Sequence, residues 1–252
     1  MLEITDLYCG YGADDVLHGI SLQAAAGEFF CIAGPNGCGK STLLKAIARL
    51  LPFRGSITIN GKETAAFSRK ELARHIAILA QASPLYFPYT VYDTVLMGRY
   101  AHRKGWFGSF ENSDKAAVEN VLVTLGLDTL REESISELSG GQLQLVFLAR
   151  TLVQEPRIII LDEPTSHLDL KNQITLLDHL AAWVKTGERT IIAVFHDLNL
   201  ARRYSTAAAL MAEGKIAARG LAAEIFSGSI LAEVYGLDIE TITVHGLGYK
   251  TP

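Results

Sequence analysis

The sequence has no excess of basic residues and few cysteines. Its 23 lysines and arginines are outnumbered by 27 aspartates and glutamates, which gives a formal net charge of -4. A broad basic surface for DNA or RNA is therefore not expected. The three cysteines, Cys9, Cys31 and Cys38, form no CxxC pair and have no matching histidine cluster. This argues against a disulfide framework or a zinc site and favours a reducing cytosol.

Long apolar runs are also absent. No stretch reaches the roughly 18 consecutive apolar residues of a membrane-spanning helix, and residues 1–12 lack the basic and apolar regions of a secretory signal. We therefore expect the chain to be soluble, with any role at a membrane depending on a partner. Repeats, low-complexity segments and linkers are missing as well, so 252 residues predict one domain that carries an insertion.

The sequence does contain an alternation of apolar strands and amphipathic helices. Residues 29–33 form a short apolar run that is closed by a Gly-Pro pair, and residues 40–51 show helical spacing up to a proline. A strand, a glycine-rich loop and a helix are therefore predicted in that order. Ser68 and Glu71 have the spacing of a capping box, which predicts the start of another helix.

Further along, a mainly helical stretch separates two runs of strands. From residue 83 to about residue 137, helical segments alternate with polar connections, and one helix should end at Gly126. The remaining predicted elements are strands at 55–61, 76–80, 158–161 and 190–195, a helix from Gly141, a helix at 172–185, a hairpin around Glu213 and Gly214, two small helices and a weak strand at 239–244. Strands that alternate with helices predict an α/β fold with a parallel sheet.

One glycine-rich segment matches a phosphate-binding pattern. Glycines allow successive backbone N–H groups to turn around the β- and γ-phosphates of a nucleotide, while the helix dipole and the charge of Lys40 add attraction. Ser41 is the expected Mg²⁺ ligand, and Thr42 completes the nucleotide-binding set. The alternative, a chance glycine-rich turn, is disfavoured by the position between a strand and a helix. The pattern GxxxxGK[ST] is formed by Gly34, Pro35, Asn36, Gly37, Cys38, Gly39, Lys40 and Ser41.

Two carboxylates follow the apolar strand at 158–161. Asp162 and Glu163 come directly after it, at a sheet end, where α/β proteins bind their ligands. We expect Asp162 to hold Mg²⁺ through water and Glu163 to act as the general base that polarises the attacking water. Alone, the pair could be helix-capping acids, but the phosphate loop favours the catalytic interpretation.

The segment Leu138, Ser139, Gly140, Gly141 and Gln142 reads LSGGQ. A serine and two glycines at a helix start present a hydroxyl and bare N–H groups, which form a second anion site. Together with the phosphate loop and the carboxylate pair, this segment resembles the hallmark of the ATP-binding cassette family. A capped helix without a ligand is the alternative interpretation.

The resemblance implies a fold and an assembly. The fold is a P-loop NTPase (RecA-like) core with an N-terminal antiparallel β part and an inserted helical subdomain, all within a single domain of residues 1–252. The core would comprise about 1–82 and 155–252, and the helical subdomain about 83–154, including LSGGQ. The assembly is a head-to-tail dimer around two ATP molecules, in which each LSGGQ segment closes on the γ-phosphate held by the other copy.

Four further positions match the family one at a time. Tyr11 stands where an aromatic ring stacks on adenine, although Tyr8 is close enough to compete. Gln81 matches a catalytic glutamine that reaches Mg²⁺ and water. Asp169 belongs to a loop at the dimer seam, and His196 matches a histidine that contacts the γ-phosphate. The alternatives are an exposed tyrosine, an exposed glutamine, a helix cap and a structural histidine.

One position departs from the family pattern. After LSGGQ the family usually continues with any residue, glutamine and arginine, whereas Leu143 and Gln144 are followed here by Leu145. A missing arginine removes a contact inside the helical subdomain and not a phosphate ligand. Hydrolysis is therefore expected to survive.

Aromatic residues are concentrated between residues 84 and 110. Directly after Gln81, such a segment could receive a helix of a membrane subunit, or it could serve the core of the helical subdomain. We predict that at least two of the aromatic residues dock a membrane subunit. The eight are Tyr86, Phe87, Tyr89, Tyr92, Tyr100, Trp106, Phe107 and Phe110.

Within the family, segments between residues 34 and 204 resemble the ATPases of importers for iron-siderophore complexes, haem and cobalamin. They imply a peripheral ATPase on the cytoplasmic face of the cell membrane, joined to a membrane permease and, through it, to a substrate-binding protein. Uptake of manganese, zinc, molybdate or tungstate is the alternative. A soluble ABC ATPase acting on ribosomes or DNA would carry two cassettes or a coiled-coil insertion, and a P-loop kinase or GTPase gives no reason for LSGGQ.

Overall fold

The computed structural model describes residues 1–12, 14–79, 89–104, 108–166 and 168–236. These residues form two compact units. The first comprises Met1–Ala66 and the chain from Thr190 onward, and the second comprises Phe67–Arg189. The predicted division into a core and a helical subdomain stays a prediction, and its first boundary, at residue 82, lies outside the described residues.

Strands and helices alternate along the described residues, as an α/β fold requires. The strands are β1 (Leu2–Tyr11), β2 (Asp14–Ala24), β3 (Phe29–Ala33), β4 (Phe53–Ile59), β5 (Lys62–Glu63), β6 (Ile76–Leu79), β7 (Ile158–Asp162), β8 (Thr190–Val194), β9 (Ala207–Ala212) and β10 (Lys215–Leu221). The helices are α1 (Lys40–Ile47), α2 (Arg69–His75), α3 (Val91–Leu96), α4 (Asn112–Thr124), α5 (Gly140–Leu152), α6 (Leu170–Val184), α7 (Leu198–Tyr204), α8 (Ala222–Ile225) and α9 (Gly228–Tyr235).

The first unit contains an antiparallel sheet in the order β2-β1-β4-β5. Along β1, buried side chains alternate with exposed ones except for a three-residue step from Ile4 to Leu7. A bulge absorbs the extra residue, because the pairing with β2 shifts between these two residues and Asp6 has a φ of 50°. The antiparallel part that the family resemblance implied is confirmed.

The first unit also contains the strand that precedes the phosphate loop. All residues of β3 are buried, and β3 pairs in parallel with both β8 and β9. A strand with parallel neighbours and two covered faces needs a continuous apolar run, which is the pattern that predicted it. The predicted hairpin joins β9 to β10, and its turn residues Glu213 and Gly214 have φ values of 47° and 72°. The weak strand predicted at 239–244 lies outside the described residues.

Helix α1 is shorter than predicted. It ends at Ile47 rather than at Leu51. Arg49 adopts a left-handed conformation with a φ of 54°, its N–H bonds to the carbonyl of Ala46 at 2.9 Å, and the next N–H bonds to the carbonyl of Lys45 at 2.8 Å. This is a Schellman C-cap, in which glycine is the usual left-handed residue. The helix end was missed because arginine carries no such signal.

The second unit holds β6 and β7 as a parallel pair together with α2 to α6. Its helix ends follow from local sequence. Ser68 and Glu71 form the predicted capping box at the start of α2, and Gly126, with a φ of 68°, follows the end of α4. Helix α6 begins two residues earlier than predicted, because Asp169 caps it and its side chain accepts a hydrogen bond from the N–H of Asn172.

Candidate functional site

The loop between β3 and α1 depends on three glycines in the first unit. Gly34, Gly37 and Gly39 have φ values of 149°, 82° and 104°. A Cβ atom on Gly34 would lie 2.1 Å from the backbone oxygen of Met211, and one on Gly39 would lie 2.7 Å from a methyl carbon of Leu17. Side chains are therefore excluded where the loop passes β9 and β2. The glycines let the backbone turn tightly at the start of α1, which is the geometry that a phosphate chain requires.

Lys40 is the first residue of α1 and is only 8% exposed. Its Nζ donates hydrogen bonds to the backbone oxygen of Gly34 at 2.8 Å and to that of Pro35 at 2.9 Å. The side chain therefore folds back over the loop and holds its positive charge within the turn. An ammonium group in this position can form charge-assisted hydrogen bonds with phosphate oxygens.

The tip of the phosphate loop is exposed, whereas the residues between the tip and α1 are buried. Asn36 and Gly37 face solvent, and Cys38 is buried. Burial raises the pKa of the Cys38 thiol, although the charge of Lys40 acts in the opposite direction. The thiol is therefore neutral near pH 7. The backbone at Cys38 is fixed separately, because its carbonyl accepts a hydrogen bond from the N–H of Gly214 at 3.2 Å.

Tyr11 ends β1, and its side chain is 52% exposed. Its hydroxyl accepts a hydrogen bond from Lys45 Nζ at 3.2 Å, and Lys45, followed by Thr42, lowers the pKa of Tyr11. The competing Tyr8 lies instead beneath the guanidinium of Arg54, 5.5 Å from its ring centre. Of the two rings, Tyr11 is the one that is joined to the phosphate-loop helix.

His196 is exposed and lies just beyond β8. The preceding Phe195 is buried and stacks on Phe29 with ring centres 6.0 Å apart. The following Asp197 caps α7 by accepting a hydrogen bond from the N–H of Asn199 at 2.7 Å. The backbone at His196 is thus fixed on both sides, which allows its imidazole to serve a ligand at the strand end.

In the second unit, Asp162 is the last residue of β7 and Glu163 follows it. Both are partly exposed. Glu163 has a φ of 52°, which is uncommon for a residue with a side chain. Such a conformation costs on the order of 1–3 kcal/mol and tends to occur where function requires it. Arg49 and Glu213 share this conformation in structural roles, so the backbone at Glu163 is compatible with both a catalytic and a capping acid.

Two glutamines whose contacts the sequence analysis did not predict hold the turn after Glu163. The buried Gln144 on α5 donates from Nε2 to the carbonyl of Pro164 at 3.3 Å. Gln173 on α6 donates from Nε2 to the carbonyl of Leu168 at 3.0 Å. A glutamine at a buried helix position was the signal that could have found Gln144, because buried amides need a partner.

The LSGGQ segment begins α5 with a capping box. Ser139 Oγ accepts a hydrogen bond from the N–H of Gln142 at 3.3 Å, and Gln142 Oε1 accepts one from the N–H of Ser139 at 2.9 Å. Ser139 and Gly140 are exposed, and α5 has 13 residues. The predicted helix is confirmed, although it begins at Gly140 and not at Gly141, and its first-turn N–H groups and dipole suit an anion. Anion binding itself stays a prediction.

Gly141 of the same segment lies against α6. A Cβ atom on Gly141 would be 2.3 Å from Nδ2 of Asn172. Asn172 is in turn bonded to Asp169, from its backbone N–H to Oδ1 at 2.8 Å and from Nδ2 to Oδ2 at 3.0 Å. Asp169 thus has the capping role that was its alternative interpretation, and its place at a dimer seam is untested. These contacts join the start of α5 to the start of α6.

Gly141→Ala is expected to lower the free energy of unfolding by about 1 kcal/mol, because the added methyl group must displace the Asn172 amide from Asp169. Gly140→Ala is the matched control, since a Cβ atom there has nothing within 4 Å. Urea unfolding followed by circular dichroism measures both variants. Equal stability of the two would show that the contact has no energetic weight.

Some of the predicted site residues lie outside the residues that the structure describes. Gln81, predicted as a catalytic and Mg²⁺-binding residue, lies outside the described residues. Tyr89 and Tyr100 are 40% and 54% exposed, whereas Tyr92 lies 5.1 Å from the guanidinium of Arg131. Tyr100 also packs edge-on against Phe110, with ring centres 5.4 Å apart, so docking by these residues stays a prediction. The predicted aromatic residues that also lie outside the described ranges are Tyr86, Phe87, Trp106 and Phe107.

The side chains present suit a cation that arrives with a nucleotide. In the part of the chain that the structure describes, no three His, Cys, Asp or Glu residues are grouped as a metal site. Mg²⁺ is typically held by one or two protein oxygens together with phosphates and water, and the Ser41 hydroxyl in the first unit and the Asp162 carboxylate in the second are each oxygen donors of that kind. Among the described helices, none is long and apolar enough to cross a membrane.

A protein-family comparison identifies the chain. The family model described as ABC transporter matches residues 17–166, which is more than half of the sequence. The chain belongs to the ABC transporter family. The predicted fold class and ATPase class are thereby confirmed, and the chain is an ATP-binding subunit of this family.

Individual relatives of this ABC transporter ATPase are similar over nearly its whole length. The ferric enterobactin transport ATP-binding protein FepC of Escherichia coli (strain K12) is 39% identical over 232 residues, which cover 92% of this chain and 85% of FepC. The hemin import ATP-binding protein HmuV of Jannaschia sp. (strain CCS1) is 36% identical over 251 residues, which cover 96% of this chain and 90% of HmuV.

Solved structures of ABC proteins share the fold. A metal-chelate type ABC transporter in an inward-facing conformation matches with a TM-score of 0.81 and 28% identity, over 93% of this chain and 88% of that chain. A dimeric ATP-binding cassette in a post-hydrolysis state, bound to ADP and phosphate, matches with a TM-score of 0.73 and 26% identity, over 88% of this chain and 99% of that chain.

Proposed function

We propose that this ATPase powers the uptake of a metal chelate, an iron-siderophore complex, haem or cobalamin, through a separate membrane permease. The observation that carries the proposal is the similarity to the ferric enterobactin transport ATP-binding protein along almost the whole chain. The similarity to a hemin import protein and to a metal-chelate type transporter supports the same substrate class. Metal chelates are the common feature of these three proteins.

ATP is proposed to bind at the phosphate loop. Its adenine stacks on Tyr11, and its phosphates lie along the backbone N–H groups that follow Pro35 in the loop and beside the Lys40 ammonium. Ser41, Asp162 and Gln81 would hold Mg²⁺, which, when bound, offsets the charge of the β- and γ-phosphates. The buried lysine and the absence of space for side chains at Gly34 and Gly39 support this arrangement.

Hydrolysis is proposed to depend on Glu163 and His196. The Glu163 carboxylate orients the attacking water and accepts its proton, and the His196 imidazole contacts the γ-phosphate. The left-handed backbone at Glu163 supports a specific requirement at this position. Most of the acceleration then comes from positioning and electrostatic stabilisation, as in other phosphoryl transfers.

The catalytic unit is proposed to be a head-to-tail dimer. The exposed start of α5 in one copy closes on the γ-phosphate held by the other copy, with Asp169 at the seam. The exposure of Ser139 and Gly140 supports this, and a similar ATP-binding cassette is dimeric. The residues that would act across the seam are Ser139, Gly140, Gly141, Gln142 and Asp169.

The dimer is proposed to lie on the cytoplasmic face of the cell membrane, held there by permease subunits that receive the cargo from a substrate-binding protein. The exposed Tyr89 and Tyr100 would contribute to the docking surface, since aromatic side chains anchor many protein interfaces. This arrangement makes ATP hydrolysis depend on the state of the permease.

Reconstitution tests the proposed substrate. The ATPase, isolated from native membranes with its permease, is placed in liposomes with the binding protein, and ATP hydrolysis is measured with a ferric siderophore, haem, cobalamin, Mn²⁺, Zn²⁺ or molybdate. Stimulation by one of the chelates is expected. Stimulation by Mn²⁺, Zn²⁺ or molybdate alone would refute the chelate assignment and leave the ATPase assignment intact.

A further inference from the structure

Lys45 makes a contact that the proposed nucleotide-binding roles do not explain. It is exposed and lies in the last turn of α1, the helix that begins at the phosphate loop. A lysine at this position usually extends into water near the negative end of the helix dipole. Here its Nζ is instead 3.2 Å from the hydroxyl oxygen of Tyr11, which lies 34 residues earlier in the sequence.

The ammonium group lies at the edge of the Tyr11 ring. Lys45 Nζ is 3.2 Å from the hydroxyl oxygen but 5.7 Å from the ring centre, so it is beyond the hydroxyl and not over the ring face. A cation over the face would compete with a stacked base. A cation at the edge leaves the face available and fixes the direction in which the hydroxyl points.

The hydrogen bond from Lys45 restricts the ring. A tyrosine that is 52% exposed would otherwise sample several χ1 rotamers. Because Lys45 belongs to α1 and bonds to the hydroxyl at the far end of the ring, the bond favours one orientation of the ring relative to α1. Thr42, a buried residue of the same helix, adds to the lowering of the Tyr11 pKa by Lys45.

We propose that Lys45 is a positioning residue for the purine base, which acts by holding the Tyr11 ring in the orientation that stacking requires. This inference rests on the proposed function, in which Tyr11 stacks on adenine. An ordered ring removes part of the entropy cost of binding, and ordering one such side chain changes a dissociation constant by about two- to tenfold. The base-binding element is thereby connected to the helix that carries the phosphate loop.

The test compares the dissociation constants of MgATP and of inorganic tripolyphosphate in the full chain by titration calorimetry. Lys45→Met is expected to weaken MgATP binding about two- to tenfold and to leave tripolyphosphate binding unchanged, since only the nucleotide has a base. Tyr11→Phe keeps the ring but removes the hydroxyl, so it should have the same effect. The double variant should bind MgATP no more weakly than either single variant, because both remove one interaction.

Two further variants make the result specific. Lys215→Met removes the same charge from an exposed position on β10 and should leave both constants unchanged. Tyr11→Ala removes the ring and should weaken MgATP binding more than Lys45→Met does. A loss of tripolyphosphate affinity in Lys45→Met would overturn the inference, because it would show damage to the phosphate loop.

The outcomes separate this inference from the proposed function. If Tyr11→Ala weakens MgATP binding and Lys45→Met does not, Lys45 has no positioning role and the stacking role of Tyr11 stands. If Tyr11→Ala itself leaves MgATP binding unchanged, the stacking role is wrong, and the inference about Lys45 is overturned with it.

Discussion

Glu163→Gln is expected to reduce ATP hydrolysis by about 100- to 10,000-fold while ATP still binds, because the amide has nearly the shape of the carboxylate but cannot accept a proton. ATP that binds without being consumed should hold the two copies together. Phosphate release measures the loss of turnover, and size-exclusion chromatography with MgATP measures the dimer, which should accumulate.

Glu213→Gln is the matched control for this experiment. Glu213 also has a left-handed backbone, with a φ of 47°, and its side chain is exposed in the β9–β10 turn. The substitution removes the same charge in the same conformation and should leave hydrolysis unchanged. Full activity of Glu163→Gln would remove Glu163 from the role of general base.

Lys40→Ala is expected to weaken ATP binding by about 10- to 100-fold, because charge-assisted hydrogen bonds to the phosphates contribute roughly 1.5–3 kcal/mol and the alanine can form none. The loop should keep its fold, since the two carbonyls that accept from Lys40, those of Gly34 and Pro35, can bond to water instead. Equilibrium binding of a fluorescent ATP analogue measures the change.

A control separates the phosphate-specific effect from a general effect of charge. Lys115 is an exposed lysine on α4, and Lys115→Ala should bind the analogue as tightly as the unmodified chain does. Thermal unfolding of both variants checks that the fold is retained. Unchanged affinity in Lys40→Ala would contradict the assignment of the loop between β3 and α1 as the phosphate site.

Much of the fold could be predicted because the signals are local. The limits of β3, the capping box of Ser68 and Glu71 and the turn at Glu213 and Gly214 each depend on residues within a few positions of one another. The phosphate loop was found in the same way, since its glycines and Lys40 form one continuous motif. Local conformational preference and tertiary structure agree at these places.

The features that escaped prediction depend on contacts between distant residues. Gln144 bonds to Pro164, 20 positions away, and Lys45 bonds to Tyr11, 34 positions away. A buried glutamine indicates that Gln144 needs some partner, but nothing in the sequence near Gln144 or Lys45 says which residue the partner is. The end of α1 was misjudged for a different reason, because Arg49 takes a left-handed position that usually belongs to glycine.

In the proposed dimer, each site of hydrolysis combines the phosphate loop of one copy with the LSGGQ segment of the other. Two variants can test it in trans. Lys40→Ala weakens ATP binding at the phosphate loop of its own copy. Gly140→Asp places a negative charge beside the γ-phosphate of the ATP that the partner copy holds, and that charge repels the phosphate. Gly140 tolerates a side chain, since a Cβ atom there has nothing within 4 Å, and an acid in the first turn of a helix favours folding.

The decisive measurement is ATP hydrolysis in an equal mixture of Lys40→Ala and Gly140→Asp, at an ATP concentration that saturates the unmodified chain but lies well below the weakened dissociation constant of Lys40→Ala, so that each variant has little activity alone. Random pairing makes half of the dimers mixed, and each mixed dimer has one intact site out of two. If the two sites work independently, about a quarter of the unmodified rate should return. A mixture no more active than the sum of its two components would contradict the shared site.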